Sequence, residues 1–138
     1  MKETTWNDCL ANYSAAKISP DKGRAQSLRE TSKERLNCVR EITKENCNFV
    51  FEDYYTSLLE LLQSAVILAG YKVSNHVCLG FYFRDVLANE KFHRVFDDIR
   101  YKRNSLTYYG KRMDFETCKE AIENCKKLIK DINGLKIQ

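Results

Sequence analysis

The sequence is poor in the residues that interrupt regular structure, with one proline and five glycines in 138 residues. So little turn chemistry argues against a fold of many short strands, against collagen and against disorder. The remaining composition is ordinary, 43% hydrophobic and 30% charged, in a chain of single-domain length. We therefore predict one all-α domain over residues 1–138, an up-down helical bundle of about five helices plus a short N-terminal helix.

Long apolar runs are also missing. The longest, residues 64–70, is far shorter than the roughly 20 residues that cross a bilayer. The first residues lead into no signal-peptide core, so we expect a cytoplasmic protein without a membrane partner. The net charge of +4 permits contact with nucleic acid but does not require it.

Metal ligands are sparse, because the six cysteines include no Cys-x-x-Cys pair and the chain has only two histidines. We therefore predict no metal site and no cofactor. Most cysteines are interpreted as small apolar residues, and Cys118 and Cys125 belong to the apolar stripe of the last predicted helix. The oxidation state stays open, because intracellular proteins of hyperthermophiles do carry disulfides.

Apolar periodicity predicts helices over residues 24–44, 47–69 and 90–109. A last helix is capped by Asp114 and ends before Gly134. The second of these helices is apolar on more than half of its circumference, which marks it as the central helix. The inward residues expected in the 90–109 helix are Phe92, Val95, Phe96, Ile99, Leu106 and Tyr109.

The remaining segments are the N-terminal extension, residues 1–23, and the stretch between the central helix and residue 90. Ser74 or Asn75 can cap a helix in that stretch. Its aromatic residues also suit a strand, but helical neighbours and the lack of a partner strand favour a helix. Its inward residues would be Val77, Leu79, Phe81, Phe83, Val86 and Leu87. The helix-like spacing of four residues predicts a short helix in the extension: Trp6, Leu10, Tyr13 and Ala16.

Polar functional groups are dense in residues 97–110. On a helix, four of them lie near one face at steps of three and four, and Tyr108 follows one turn beyond Asn104. The four are Arg100, Arg103, Asn104 and Thr107. A guanidinium offers a fork to phosphate, an amide bonds a base, and a phenol stacks or donates a proton. This set suits a phosphodiester or nucleotide ligand.

The same segment also has a purely structural interpretation. Asp97 or Asp98 could pair with neighbouring basic residues along a solvated helix, and the tyrosines could pack with their hydroxyls in water. His76 and His93 could be surface or capping histidines. His93 lies nearly three turns from Arg103 on the same helix, too far to meet it within one subunit.

A family resemblance favours the functional interpretation. Residues 96–110 read Phe-Asp-Asp-Ile-Arg-Tyr-Lys-Arg-Asn-Ser-Leu-Thr-Tyr-Tyr-Gly and precede an amphipathic closing helix. Upstream, an aromatic-rich central helix leads through residues 69–72 and the pair Asn75 and His76 into another helix. Together these features resemble the signature region of the HEPN superfamily, over residues 24–132.

The resemblance implies a helical bundle that forms a homodimer and places an Arg and, a few residues later, a His at the dimer cleft. Catalytic HEPN proteins are metal-independent ribonucleases, and many prokaryotic members are toxins paired with a small nucleotidyltransferase antitoxin. By this resemblance Arg103 matches the family's Arg and Asn104 the polar residue after it, whereas Tyr108 stands at the His position. Gly110 stands where one toxin subgroup has a Tyr.

The substitution of phenol for imidazole bears on mechanism. An imidazole titrates near neutral pH, whereas a phenol with its ordinary pKa of about 10 is a poor base. The predicted catalytic residues are Arg103 and Tyr108. The predicted ligand-binding residues are Arg100, Arg103, Asn104, Tyr108, Tyr109 and His76.

The leading hypothesis is a HEPN-like homodimeric module that binds RNA or a nucleotide, with weak or no ribonuclease activity. Such a module could be the toxin-like half of a pair with a nucleotidyltransferase. Two alternatives stay open. One is a helical protein-interaction module without a ligand site. The other is an active metal-independent endoribonuclease, in which Tyr108 or a histidine transfers protons.

Overall fold

The computed structural model describes residues 2–135 and shows a helical bundle with one small sheet. The helices are α1 (Trp6–Ala11), α2 (Lys22–Asn37), α3 (Cys47–Leu68), α4 (His76–Phe81), α5 (Glu90–Tyr109) and α6 (Phe115–Asn133). The strands are β1 (Ala15–Lys17) and β2 (Tyr71–Val73). The predicted all-α bundle of about five helices plus a short N-terminal helix is confirmed. Within residues 2–135, no helix is both long and apolar enough to cross a membrane.

Helix α3 is the centre of the core, as predicted for residues 47–69. Helices α2 and α6 both pack against it, and α5 packs on α6 and on α4. Side chains on all sides of α3 are buried because neighbours surround it, which explains why its sequence is apolar around most of its circumference. Its fully buried residues include Phe51, Tyr55, Leu58, Leu62 and Val66.

The bounds of α5 and α6 agree with the sequence because capping residues and apolar periodicity coincide there. Asn89 caps α5, and Gly110 ends it in the left-handed conformation with φ of 62°. Asp114 caps α6 by accepting a hydrogen bond from the Thr117 amide at 2.8 Å. The prediction that Tyr109 faces inward is wrong, since this residue is 83% exposed in the last turn, beyond the core.

Helix α2 is shorter than predicted, because it ends at Asn37 rather than at residue 44. Residues 43–46, where the predicted helix would end, form a turn held by side-chain hydrogen bonds. The Thr43 amide donates to Asn46 Oδ1 at 2.7 Å, and the Asn46 amide donates to Thr43 Oγ1 at 3.1 Å. Such local side-chain bonds offer the backbone an alternative to the helix.

The two strands were not predicted. Ala15, Ala16 and Lys17 pair antiparallel with Val73, Lys72 and Tyr71, in that order. The N-terminal helix therefore stops at Ala11, and Tyr13 is 83% exposed instead of packing inward. Three-residue strands are too short for a readable period, and each finds its partner only through the tertiary fold.

The helix predicted before residue 90 is interrupted. Asn75 caps α4, as expected, by accepting from the Cys78 amide at 2.8 Å, but a π-helical segment (Tyr82–Val86) follows α4 directly. The backbone then turns at Ala88, whose φ is 53°. This change of period rotates the chain, so the predicted inward residues Val86 and Leu87 are 46% and 40% exposed.

A disulfide joins Cys9 of α1 to Cys78 of α4, across 69 residues of sequence. The interpretation of cysteines as small apolar residues is wrong for this pair. It holds for Cys47, Cys118 and Cys125, which are free and buried, but not for Cys38, which is free and exposed. The N-terminal extension is thus covalently attached to the bundle.

Aromatic packing and a hydrogen bond attach the same extension. The Trp6 ring contacts the rings of Tyr71 and Tyr82 edge to face, each with centroids 5.2 Å apart. The Trp6 amide donates to Asp85 Oδ2 at 2.8 Å. Residues 2–17 therefore form a strap over α4 and the π-helical segment.

Reduction of the Cys9–Cys78 disulfide should lower the free energy of unfolding by about 4 kcal/mol, because the bond closes a long loop in the unfolded chain. Guanidinium unfolding with and without dithiothreitol measures this difference. The double variant Cys9→Ser/Cys78→Ser is the control and should not respond to the reductant. An unchanged unfolding midpoint for the reduced wild-type protein would contradict the prediction.

Candidate functional site

Arg103 lies on the inward side of α5, one turn beyond the buried Ile99. Its guanidinium carbon is 5.5 Å from the centroid of the Tyr55 ring and 5.8 Å from that of Tyr108. The ring faces attract the cation through their electron density. The only hydrogen bond of its side chain within residues 2–135 is a long one, 3.5 Å, to Asn104 Oδ1.

The electrostatic surroundings of Arg103 differ from those of its neighbours. Arg100 pairs with Asp97 at 2.8 Å, and Lys102 pairs with Asp98 at 2.7 Å, as the solvated-helix interpretation anticipated. Arg103 forms no ion pair with any residue that the structure describes. It is half-buried and keeps its full charge, which leaves its fork available to an anion.

The Tyr55 phenol is a member of this cluster that the sequence did not single out, although it lies within the predicted central helix. Its ring stacks on Phe96 with centroids 6.2 Å apart, and its hydroxyl is 3.1 Å from His76 Nδ1. The available signal was its position in the predicted central helix, because a buried Tyr hydroxyl usually requires a polar partner. That partner is His76.

His76 lies near Arg103 because α4 approaches α5 closely. A Cβ atom on Gly80 would lie 3.1 Å from Phe96 Cδ2 and 3.2 Å from His93 Cδ2. Gly80 packs beside residues 93 and 96, so the antiparallel course of α4 brings His76, one turn before Gly80, beside residues 100 and 103. The missing side chain of Gly80 is what permits this approach.

The start of α4 is also fixed from the other side. The Ser74 amide donates to the Ser14 carbonyl at 2.8 Å, directly after the β1 and β2 pair. Asn75 then caps the helix, and Cys78 carries the disulfide two residues after His76. The imidazole is therefore placed by an anchored helix terminus rather than by a loose loop.

The same packing sets the protonation of the cluster. Burial lowers the pKa of His76 below its ordinary 6.5, and the charges of Arg103 and Arg100 lower that pKa further. Burial raises the pKa of the Tyr55 phenol, although both guanidinium groups act in the opposite direction. At neutral pH the site thus holds a neutral imidazole, a protonated phenol and a cation. If Nδ1 donates to Tyr55, Nε2 carries a free lone pair that can accept a proton.

The structure brings five of the six predicted ligand-binding residues into one neighbourhood, listed as Arg100, Arg103, Asn104, Tyr108 and His76. Tyr108 contributes its ring face to Arg103 but is 68% exposed. Tyr109 lies apart, in solvent. His93 packs against Phe81 with ring centroids 5.6 Å apart.

Tyr108 exposes this site at the surface of the single chain. A cavity of 900 Å³ lies between α5 and α6 and is lined by Lys91, Lys127 and Lys130 among others. Among residues 2–135, no group of three His, Cys, Asp or Glu side chains is placed to hold a metal ion. No family model matches the chain, and comparisons with curated proteins and with solved structures gave no significant match.

Loss of the Arg103 charge should raise the pKa of His76, because one of the charges that disfavour the imidazolium is removed. We expect Arg103→Gln to move the pKa toward 6.5 in an NMR titration of the imidazole protons. Arg94→Gln, an exposed site on the same helix, should leave that pKa unchanged. An unchanged His76 pKa in Arg103→Gln would show that the two side chains do not interact in solution.

The lowered pKa of His76 also makes the free energy of unfolding depend on pH. Protonation favours the unfolded chain, so the contribution of His76 is fully present above pH 6.5 and is lost as the pH falls through the folded pKa.

Proposed function

We propose that this protein is a HEPN-like module that binds RNA or a nucleotide through its phosphate groups at Arg103. One observation carries the proposal: the guanidinium is half-buried on the Tyr55 ring and has no carboxylate partner in residues 2–135. A partly desolvated charge without a counterion favours the binding of an anion. The resemblance of residues 96–110 to the HEPN signature supports the same ligand class.

The neighbouring side chains suit the rest of such a ligand. Asn104 can donate to a base or a ribose hydroxyl, and the exposed ring of Tyr108 offers a stacking face. Arg100 adds positive potential, although Asp97 compensates much of it. One phosphate on Arg103 with an adjacent base on Tyr108 is therefore the binding mode that we propose.

A homodimer belongs to the proposal. The C-terminal half of α5 exposes Tyr101, Tyr108 and Tyr109, by 68%, 68% and 83%. Exposed aromatic residues are enriched at protein interfaces. Two copies meeting along this part of α5 would turn the open surface beside Arg103 into a cleft. A nucleotidyltransferase antitoxin as partner is a proposal that rests on the resemblance alone.

Location in the cytoplasm is likewise a proposal. The Cys9–Cys78 disulfide restricts the kind of cell in which a cytoplasmic location is expected. Stable disulfides inside cells are characteristic of hyperthermophiles and are otherwise rare, so a cytoplasmic location points to such a source.

Arg103→Ala should weaken RNA binding at least about tenfold, because the main phosphate contact is lost. The measurement is fluorescence anisotropy of a labelled single-stranded RNA of about 20 nucleotides, long enough to cover such a site, in EDTA. Arg94→Ala removes the same charge from an exposed position of the same helix and should bind like the wild type.

Thermal unfolding distinguishes binding from folding in this experiment. The midpoint of Arg103→Ala should stay near that of the wild-type protein, and sedimentation velocity checks that both are dimers. An unfolded Arg103→Ala would mean that Arg103 is structural. Equal RNA affinity in the wild type, Arg103→Ala and Arg94→Ala would overturn the proposed site.

A second candidate function, metal-independent RNA cleavage, is favoured by the neutral His76 imidazole beside Arg103. The imidazole would take the proton of a ribose 2′-hydroxyl, whose oxygen attacks phosphorus while the 5′-oxygen leaves and gains a proton from water. Arg103 would stabilise the charge that develops on the phosphoryl oxygens. In this scheme His76 takes the base role that Tyr108 fills poorly.

His76→Gln should abolish cleavage of RNA in EDTA and leave RNA binding within about twofold, because the amide keeps a polar contact but cannot take a proton. Gel analysis of incubated RNA measures cleavage, and a 2′-O-methyl RNA of the same sequence is the uncleavable control. Cleavage that persists in His76→Gln would exclude His76 as the base. If the wild-type protein neither binds nor cleaves RNA, the remaining hypothesis is the protein-interaction module.

A further inference from the structure

A second surface of the bundle is a groove between α2 and α6. Both helices pack on α3 but hardly on each other, so α3 forms the apolar floor of the groove between them, with Leu61 and Ala65 buried and Leu68 partly exposed. Two cavities of 640 Å³ and 390 Å³ follow this groove and adjoin at Arg29, Leu61 and Asn133. Leu61, Ala65 and Leu68 line the larger one, one helical turn apart on the same face of α3.

The rim of this groove on the α2 side is basic. Residues 22, 26, 29 and 33 recur at steps of four, three and four, so they form one stripe along the helix. They are Lys22, Gln26, Arg29 and Lys33, and all four line the two cavities. None of the described residues that line either cavity carries a carboxylate. The groove therefore combines an apolar floor with a rim of uncompensated positive charge.

Arg29 is held in place without being neutralised. Its guanidinium donates to Ser64 Oγ and to Gln26 Oε1, each at 3.3 Å. Ser64 is itself buried and donates to the Ala25 carbonyl at 2.9 Å, which fixes the position of its oxygen. Both partners of Arg29 are neutral, so a positioned cation faces the middle of the groove.

We propose that this groove binds an acidic amphipathic helix of a partner protein. Floor residues at steps of four and three match the apolar stripe of a docking helix, and the basic rim complements acidic residues beside that stripe. Single-stranded RNA fits the groove poorly, because its described lining residues include no aromatic ring on which bases could stack. The groove is separate from Arg103, so this inference is independent of the RNA proposal.

The probe is a synthetic peptide of about 18 residues, long enough to form a helix, with Leu at helical spacing and Glu elsewhere. Fluorescence anisotropy should show saturable binding, and a peptide with Lys in place of each Glu should bind at least about tenfold more weakly. Methyl NMR shifts on addition of the acidic peptide should concentrate at Leu61, Leu68 and Ile132.

Charge-reversal variants locate the binding. The double variant Arg29→Glu/Lys33→Glu should weaken binding of the acidic peptide at least about tenfold. Arg24→Glu lies on the other flank of α2, where Arg24 is exposed, and should reduce affinity by less than about twofold. Circular dichroism confirms that the variants keep their helices.

Three outcomes would overturn the proposal. One is no binding of the acidic peptide by the wild-type protein, and another is equal binding by the double variant. The third is a loss of RNA affinity in Arg29→Glu/Lys33→Glu as large as in Arg103→Ala, which would assign the groove to nucleic acid.

Discussion

The contact of the Tyr55 ring with its neighbours is the interaction on which the candidate site depends. One side chain, fully buried in α3, supports the Arg103 guanidinium on its ring face and binds His76 through its hydroxyl. Burial keeps the phenol protonated and its ring fixed, so one side chain sets the geometry of both interactions. The hydrophobic core thereby determines where the two polar groups stand and how they are charged.

The position of α4 is the second constraint, because His76 reaches Tyr55 only if that short helix is held against α5. Gly80 permits the close approach, and the strap formed by residues 2–17 holds the helix from outside. A six-residue helix has little stability of its own. The disulfide, the strand pair and the Trp6 packing supply from tertiary structure what local propensity lacks, which gives the N-terminal extension a role in placing the site.

Sequence patterns predict those parts of the fold in which periodicity and capping agree. Residues 90–109 combine an Asn cap, an inward stripe and a terminal glycine, and α5 has those bounds. The end of α2, the strand pair and the π-helical segment depend on competing side-chain bonds or on distant partners, for which sequence spacing holds no signal. The same distinction applies to the site. Helical spacing predicts that Arg100, Arg103 and Asn104 lie together, whereas the position of His76 beside them depends on the packing of α4 on α5.

Helical spacing does explain why Arg103 stays unpaired while its neighbours do not. Arg100 and Lys102 each have an aspartate three or four residues earlier, whereas those positions before Arg103 hold Arg100 and Ile99. The positions three and four residues later hold Leu106 and Thr107, so no carboxylate lies within helical reach on either side. The charge of Arg103 adds to burial in lowering the pKa of His76, and no carboxylate within residues 2–135 offsets that charge. An anion bound at Arg103 would offset the charge, so anion binding should both stabilise the fold and raise the pKa of His76.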